Sequence, residues 1–423
     1  MYNKTVLKNG VRIVSEEIPG VRSVAVGFWI GTGSRLEKKE DAGISHMIEH
    51  ILFKGTKRRT AKQIAESIES LGGQLNAFTS KEYTCYYARV LDEHLPLAVD
   101  VLSDMYFSSL FRAEDIEREK KVIQEEIRMY EDTPDEIIHD LFTQTIWDGH
   151  PLGRPVIGTM ESVSGLTKEK ILDFYHKYYN PSNLVLAFAG NLSHEQVLEL
   201  VEANFSESNS GQLIPAMEPP ETKAAFKTFV RPLEQAQMCL GVPAVSQYDE
   251  KIYPLQVLNN ILGGGASSRL FQKIREERGL VYTVYSYYTT FHDTGLFTIY
   301  AGTNPGSISE VLDLIWHEIN HIVREGITEE ELTRTKEQIK GSLLLASESV
   351  VHRMHRLGKS ELIHHRLITP EEILQKISLV TPDDVRNLAA ELLEPSRFTL
   401  VVLGDVEKDG ISLPWGRLSA NIS

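Results

Sequence analysis

The segment GLTKEKILDFYHKYYNPSNLVLAFAGNL, residues 165 to 192, has a counterpart in LVTPDDVRNLAAELLEPSRFTLVVLGDV, residues 379 to 406. Thr167 pairs with Thr381, Pro181-Ser182 with Pro395-Ser396, and Gly190 with Gly404, every pair 214 residues apart. Each copy reads as a helix, a Pro-Ser turn, a buried apolar strand and then a glycine. A period near half of the 423-residue length implies two homologous domains rather than a solenoid. The length itself also exceeds what one ordinary core organises. The stretch SESNSGQLIPAMEPPETK, residues 206–223, is rich in Ser, Gly and Pro and suits a linker. The expected division is therefore a domain over 1–205, a linker over 206–223 and a second domain over 224–423. Strand-like runs such as RSVAVGFWI and LNAFTSKEYTCYYARV precede long amphipathic helices. That order predicts an α+β fold, each domain a mainly antiparallel sheet packed with helices.

Composition removes several function classes. A net charge of −15 lacks the basic footprint of a nucleic-acid binder. No apolar run approaches the roughly 18 residues of a membrane span, and the first residues hold no apolar signal core. No nucleic acid and no membrane are therefore expected as partners. The two cysteines, Cys85 and Cys239, form no CxxC, so disulfide staples are not expected and a cytoplasmic setting fits.

Chemistry concentrates in GISHMIEHIL, residues 43 to 52. A helix starting near Ala42 or Gly43 places His46 and His50 one turn apart on one face. Two imidazoles so spaced can grip a metal ion, and Glu49 between them can serve as base toward water. Met47, Ile48, Ile51 and Leu52 occupy the opposite side. A second segment, HEINH at residues 317 to 321, matches a commoner zinc-protease spacing. Its helix, however, has its apolar stripe on Ile308, Val311, Leu312, Ile315, Ile319, Ile322 and Val323. His317 and His321 fall opposite, among Glu310, Asp313, Asn320 and Arg324, and are expected to face water.

A hydrolytic zinc needs a third protein ligand. The helix AEDIEREKKVIQEEIRMY, residues 113 to 130, is the best source. With Ile116 at zero, Ile123, Ile127 and Tyr130 return to within about 40°. Val122 and Met129 lie near about 230° and are expected to widen that buried stripe. Glu119 and Glu126 fall near about 300° and 280°, inside the apolar sector, whereas Glu125 falls near about 180° among charged residues. Burying two carboxylates without a partner is costly. Glu126 is accordingly expected as the third ligand, and Glu119 as the acceptor that orients an imidazole.

His-x-x-Glu-His followed 76 residues later by Glu126 resembles the inverted-motif zinc peptidases, the family of pitrilysin, insulin-degrading enzyme and the mitochondrial processing peptidase. The likeness covers nearly the whole chain. It implies a zinc endopeptidase with one Zn2+ per chain, held by His46, His50 and Glu126, with Glu49 as the catalytic base. GGQLNAFTSKEYT resembles the family's substrate-binding edge strand, which implies contacts from Asn76, Ala77 and Phe78 to a peptide held in extended form. SSRLFQKIREERGLVYTV resembles the segment carrying the family's Arg and Tyr, here Arg275 and Tyr282. The short members imply a homodimer in which these two act on the partner's site. ILGGGASSRL lacks the ending of a phosphate loop. The second half carries no zinc motif where the duplicated helix should fall. A non-catalytic peptide-binding or assembly subunit of the same fold is the alternative, and a zinc enzyme with a small non-peptide substrate is a third reading.

Overall fold

The structure, a computed structural model, describes residues 2–205 and 217–416. Most of the expected linker, residues 206–216, lies outside the described residues. The first sheet contains β1 (Tyr2–Val6), β2 (Arg12–Glu17), β3 (Ser23–Ile30), β4 (Gln74–Thr79), β5 (Thr84–Leu91) and β6 (Leu184–Gly190). The second contains β7 (Phe226–Val230), β8 (Ala236–Ala244), β9 (Val281–Thr290), β10 (Gly295–Thr303) and β11 (Thr399–Gly404). Their orders are β1-β2-β6-β3-β5-β4 and β7-β11-β8-β10-β9. From β2 onward the two orders are the same arrangement, with one parallel pair each (β2–β6 and β7–β11) and the other pairs antiparallel.

The helices begin, in chain order, with α1 (Ile44–Leu52), α2 (Ala61–Glu69), α3 (Leu95–Ser108), α4 (Ala113–Glu131), α5 (Pro134–Ile146), α6 (Met160–Ser164) and α7 (Lys168–Tyr178). They continue with α8 (His194–Phe205), α9 (Ile252–Gly263), α10 (Ile308–Glu325), α11 (Glu329–Ala346), α12 (Val350–His364), α13 (Pro370–Leu379) and α14 (Pro382–Leu392). No described helix is long and apolar enough to cross a membrane.

The repeated residues have repeated tasks. Thr167 and Thr381 cap α7 and α14, each side chain accepting a backbone N–H three residues on. The Pro-Ser turns then lead into β6 and β11, which are buried along their whole length. A Cβ on Gly190 would stand 2.3 Å from the Ser23 carbonyl oxygen on β3, and one on Gly404 would stand 2.8 Å from Ala236 Cβ on β8. Equivalent glycines thus let equivalent strands pass closely.

The compact units depart from contiguous halves at two places. One unit comprises Met1–Met129, Arg154–Met217 and Leu344–Ile368; the other comprises Tyr130–Gly153, Glu218–Leu343 and Thr369–Ser423. The α5 segment therefore belongs with the second sheet, where Ile138, Leu141 and Phe142 pack with Cys239, Val401 and Leu403. Reciprocally, α12 covers the first sheet, with Val350, Met354 and Leu357 against Val14, Ala25, Trp29 and Val185. Glycines 214 residues apart admit both helices. A Cβ on Gly27 would be 2.3 Å from Met354 Sδ, and one on Gly241 would be 2.7 Å from Phe142 Cζ. The physical cause is that each sheet has two apolar faces, and the second face is covered by a helix from the other half of the sequence. Ion pairs of Glu16 with Arg353 and Arg356, and of Glu361 with Lys4, fix α12 in place.

Residues 1–205 and 224–423 produced as separate chains are each expected to be insoluble, and to become soluble when co-expressed. Each would expose a sheet face whose covering side chains contribute roughly 1.5–3 kcal/mol apiece, a large part of a domain's stability. Either half unfolding cooperatively by itself in a thermal melt would contradict this exchange.

Candidate metal centre

α1 starts at Ile44 and buries Ile44, Met47, Ile48, Ile51 and Leu52 in the core of the first unit. That anchoring turns His46, Glu49 and His50 to the remaining side, where their side chains are only partly covered. α4 crosses nearby. Ile116, Ile123 and Ile127 are buried with Glu119, which is 2% exposed. Val122 and Met129, expected to widen this stripe, are instead 46% and 68% exposed. α4 is buried along a narrow line, and the flank beyond it takes part in no core cluster of the described residues. Tyr130 and Glu126 are intermediate, so Glu126 stands at the rim of the centre rather than inside the core.

His46 Nε2 lies 4.0 Å from Glu126 Oε1, and His50 Nε2 lies 3.8 Å from Glu126 Oε2. Among the described residues these three form a group whose ligand atoms all lie within 4.8 Å of one another. Donors around a tetrahedral zinc at about 2.0–2.2 Å are roughly 3.4 Å apart, so the two gaps to Glu126 would close by about half an ångström. The donor set, two imidazoles and one carboxylate, fits zinc. His50 Nδ1 meets Glu119 Oε2 at 3.1 Å, a contact that favours the tautomer with its proton on Nδ1 and Nε2 free to share an ion with Glu126. Burial, with His50 adding to it, pushes His46 down to about 3, so its imidazole is neutral as a ligand must be.

Glu119 is also paired with Lys54, at 2.8 Å. Burial works to raise its pKa, but hydrogen bonds from His50 and Lys54 outweigh that and hold the carboxyl below its usual range. Burial raises the pKa of Glu49, opposed by a hydrogen bond from Thr79 Oγ1 at 2.5 Å and by His50. Glu49 is therefore a stronger base than an exposed carboxylate. Thr79 ends β4, which lies at the end of the first sheet with β5 as its sheet neighbour. Asn76 and Ala77 are on the same strand, and the Asn76 side chain accepts from the Ala77 N–H at 2.8 Å. The Phe78 ring packs among Trp29, Tyr83, Tyr87 and His355.

Residues 12–160 match the model of the insulinase family, peptidase family M16, and residues 165–339 match the peptidase M16 inactive domain. An uncharacterized zinc protease of Bacillus subtilis, YmxG, is 45% identical over 392 residues, which is 93% of this chain and 96% of that protein. The chain belongs to peptidase family M16. A second relative, an uncharacterized zinc protease of Streptomyces coelicolor, is 44% identical over 413 residues, covering 96% of this chain and 90% of the relative. A crystal structure of a protease from Helicobacter pylori superposes with a TM-score of 0.90 at 24% identity, over 96% of this chain and 99% of that one. A peptidase M16 inactive domain from Pseudomonas fluorescens gives a TM-score of 0.90 at 21% identity, over 96% and 98%. These two likenesses carry the fold.

The remaining expected M16 residues lie in the second unit. Arg275 is stacked over the rings of Phe271 and Tyr282, at 4.7 and 5.1 Å, and Tyr282 is 74% exposed. In HEINH, the His317 side chain is open to solvent and His321 Nδ1 lies 2.9 Å from Arg269 Nη1. Glu318, between them in sequence, is buried near Arg269, at 3.8 Å. That histidine pair serves a surface ion-pair cluster. Sequence reasoning missed Lys54, whose only signal is its place one turn after His50, and Thr79. Glu119→Gln is expected to weaken zinc binding about 10- to 100-fold, read by competition with a chromophoric chelator. An unchanged affinity would show that Glu119 does not orient His50.

Proposed function

We propose that the chain is a zinc-dependent endopeptidase acting on peptides or unfolded segments held in extended form. The observation that carries this reading is the convergence of His46, His50 and Glu126 with Glu49 beside them. His46 and His50 would hold one Zn2+ through Nε2 and Glu126 through its carboxylate. When bound, the ion supplies Lewis acidity that polarises a carbonyl and makes water a better nucleophile near neutral pH. Glu49, held by Thr79, takes a proton from the attacking water at its carboxylate and passes it to the leaving amine. Glu119 keeps His50 in the tautomer whose Nε2 is free to bind.

A peptide would add as a strand beside β4, its backbone near Asn76 and Ala77, which selects extended segments. Phe78 supports that edge through its aromatic packing. Arg275 and Tyr282 would act on the partner's site in a homodimer, stabilising the developing oxyanion and positioning substrate. The exposure of Tyr282 and the stacking of Arg275 against its ring support that role. The proposal includes a cytoplasmic setting, which two free buried cysteines suit. A non-catalytic binding subunit of the same fold is the second reading; the tuned environment of Glu49 favours the enzyme. Profiling a peptide library with the purified protein, with and without a chelator, separates them. Chelator-sensitive cleavage is expected, and binding without cleavage would favour the second reading.

A further inference from the structure

α1 starts without the side-chain cap that helices ordinarily use. Its N-cap is Gly43, in the left-handed region at φ 92°, and the cap makes no side-chain hydrogen bond. The first backbone N–H groups of a helix need acceptors from elsewhere. Glu37, six residues before Gly43, provides them. Its Oε2 accepts the Gly43 N–H at 2.8 Å and its Oε1 accepts the Ser45 N–H at 2.9 Å. The side chain is inside the protein, Glu37 being 4% exposed, so water does not replace it.

The surrounding contacts are equally tight. Arg154 Nη2 donates to the Glu37 carbonyl oxygen at 2.6 Å, and Ser162 Oγ donates to the Ala42 carbonyl oxygen at 2.7 Å. A Cβ on Gly43 would stand 2.7 Å from the Ile157 carbonyl oxygen, and one on Gly158 would stand 2.4 Å from that of Ala42. The start of α1 is thus clamped between the loop carrying Glu37 and residues 154–162. His46 directly follows Ser45, whereas His50 is a turn further on and tethered by Glu119.

We propose that Glu37 is a positioning residue for the metal centre, its buried carboxylate capping the first turn of α1 and so setting where the His46 imidazole stands. This rests on the reading of His46, His50 and Glu126 as a zinc site. A carboxylate also matches the positive end of the helix dipole. Burial pushes the Glu37 carboxyl up to about 7 although the Ser45 and Gly43 N–H groups and Arg154 act against it, so this cap is held at an energetic cost that an ordinary N-cap residue avoids.

The test measures zinc affinity of the full chain by competition with a chromophoric chelator, and the d–d absorption of the Co2+-loaded protein. Glu37→Ala is expected to weaken zinc about 10- to 100-fold and to change the Co2+ spectrum. Glu37→Gln keeps one accepting oxygen and should recover part of both. Should Glu37→Ala not fold, Glu37→Gln, which keeps the shape, decides by falling short of wild-type affinity. Leu403→Ala, in the core of the second unit, lowers Tm but should leave affinity and spectrum unchanged. Wild-type affinity in both Glu37 variants, or an equal loss in Leu403→Ala, overturns the proposal. Wild-type affinity in His46→Ala would instead overturn the zinc-site reading beneath it.

Discussion

Glu49→Gln is expected to slow peptide hydrolysis by about 100- to 10,000-fold, the contribution of a positioned general base, while zinc content stays at the wild-type level. The substitution keeps the shape of the side chain and its contact with Thr79. It removes the basic oxygen that burial has made a stronger proton acceptor than a surface carboxylate. Zinc is retained because Glu49 is outside the group formed by His46, His50 and Glu126. Cleavage assays paired with metal analysis on the same preparation check both halves. A variant that cleaves at the wild-type rate would show that the proton goes elsewhere.

Glu126→Ala is expected to weaken zinc binding by about 100-fold or more, whereas Glu125→Ala leaves it unchanged. Structural zinc in zinc-finger peptides binds with roughly 10–16 kcal/mol over its ligands, so losing one of three protein ligands removes a large share of the binding. The neighbouring glutamates differ in direction, not chemistry. Glu126 reaches within 3.8 Å of His50, while Glu125 points to solvent and pairs with Arg128 on its own helix. Isothermal titration of the two apo variants separates them. Equal losses would mean that general negative charge, not Glu126 itself, holds the ion.

The features legible in the sequence are those that periodicity or repetition encodes. The 214-residue offset led to two sheets of matching order, since its threonines, turns and glycines each perform the same local task twice. α1 was legible because its apolar residues need one face, leaving His46, Glu49 and His50 the other. On α4, helical phase put Glu119 on the buried side but did not reveal the width of the contact, so Val122 and Met129 came out exposed. Nothing in an amphipathic segment says which sheet it will cover, and the exchange of α5 and α12 was therefore not visible. Glu37 carries no periodic signal, and Lys54 only its place one turn after His50. Glu37 sits just after a short turn and Lys54 just past the end of α1, and each matters only through a partner elsewhere.

On the proposed reading, one zinc ion held by His46, His50 and Glu126 makes this chain a peptidase. Stripping the purified protein with a chelator and titrating zinc back while following cleavage of a fluorogenic peptide tests it most directly. Cleavage should vanish on stripping, return with added zinc and reach its plateau at about one equivalent per chain, the occupancy of a single three-ligand site. Cleavage that survives stripping, or that never appears at saturating zinc, would mean that this ion does not make the chain a peptidase.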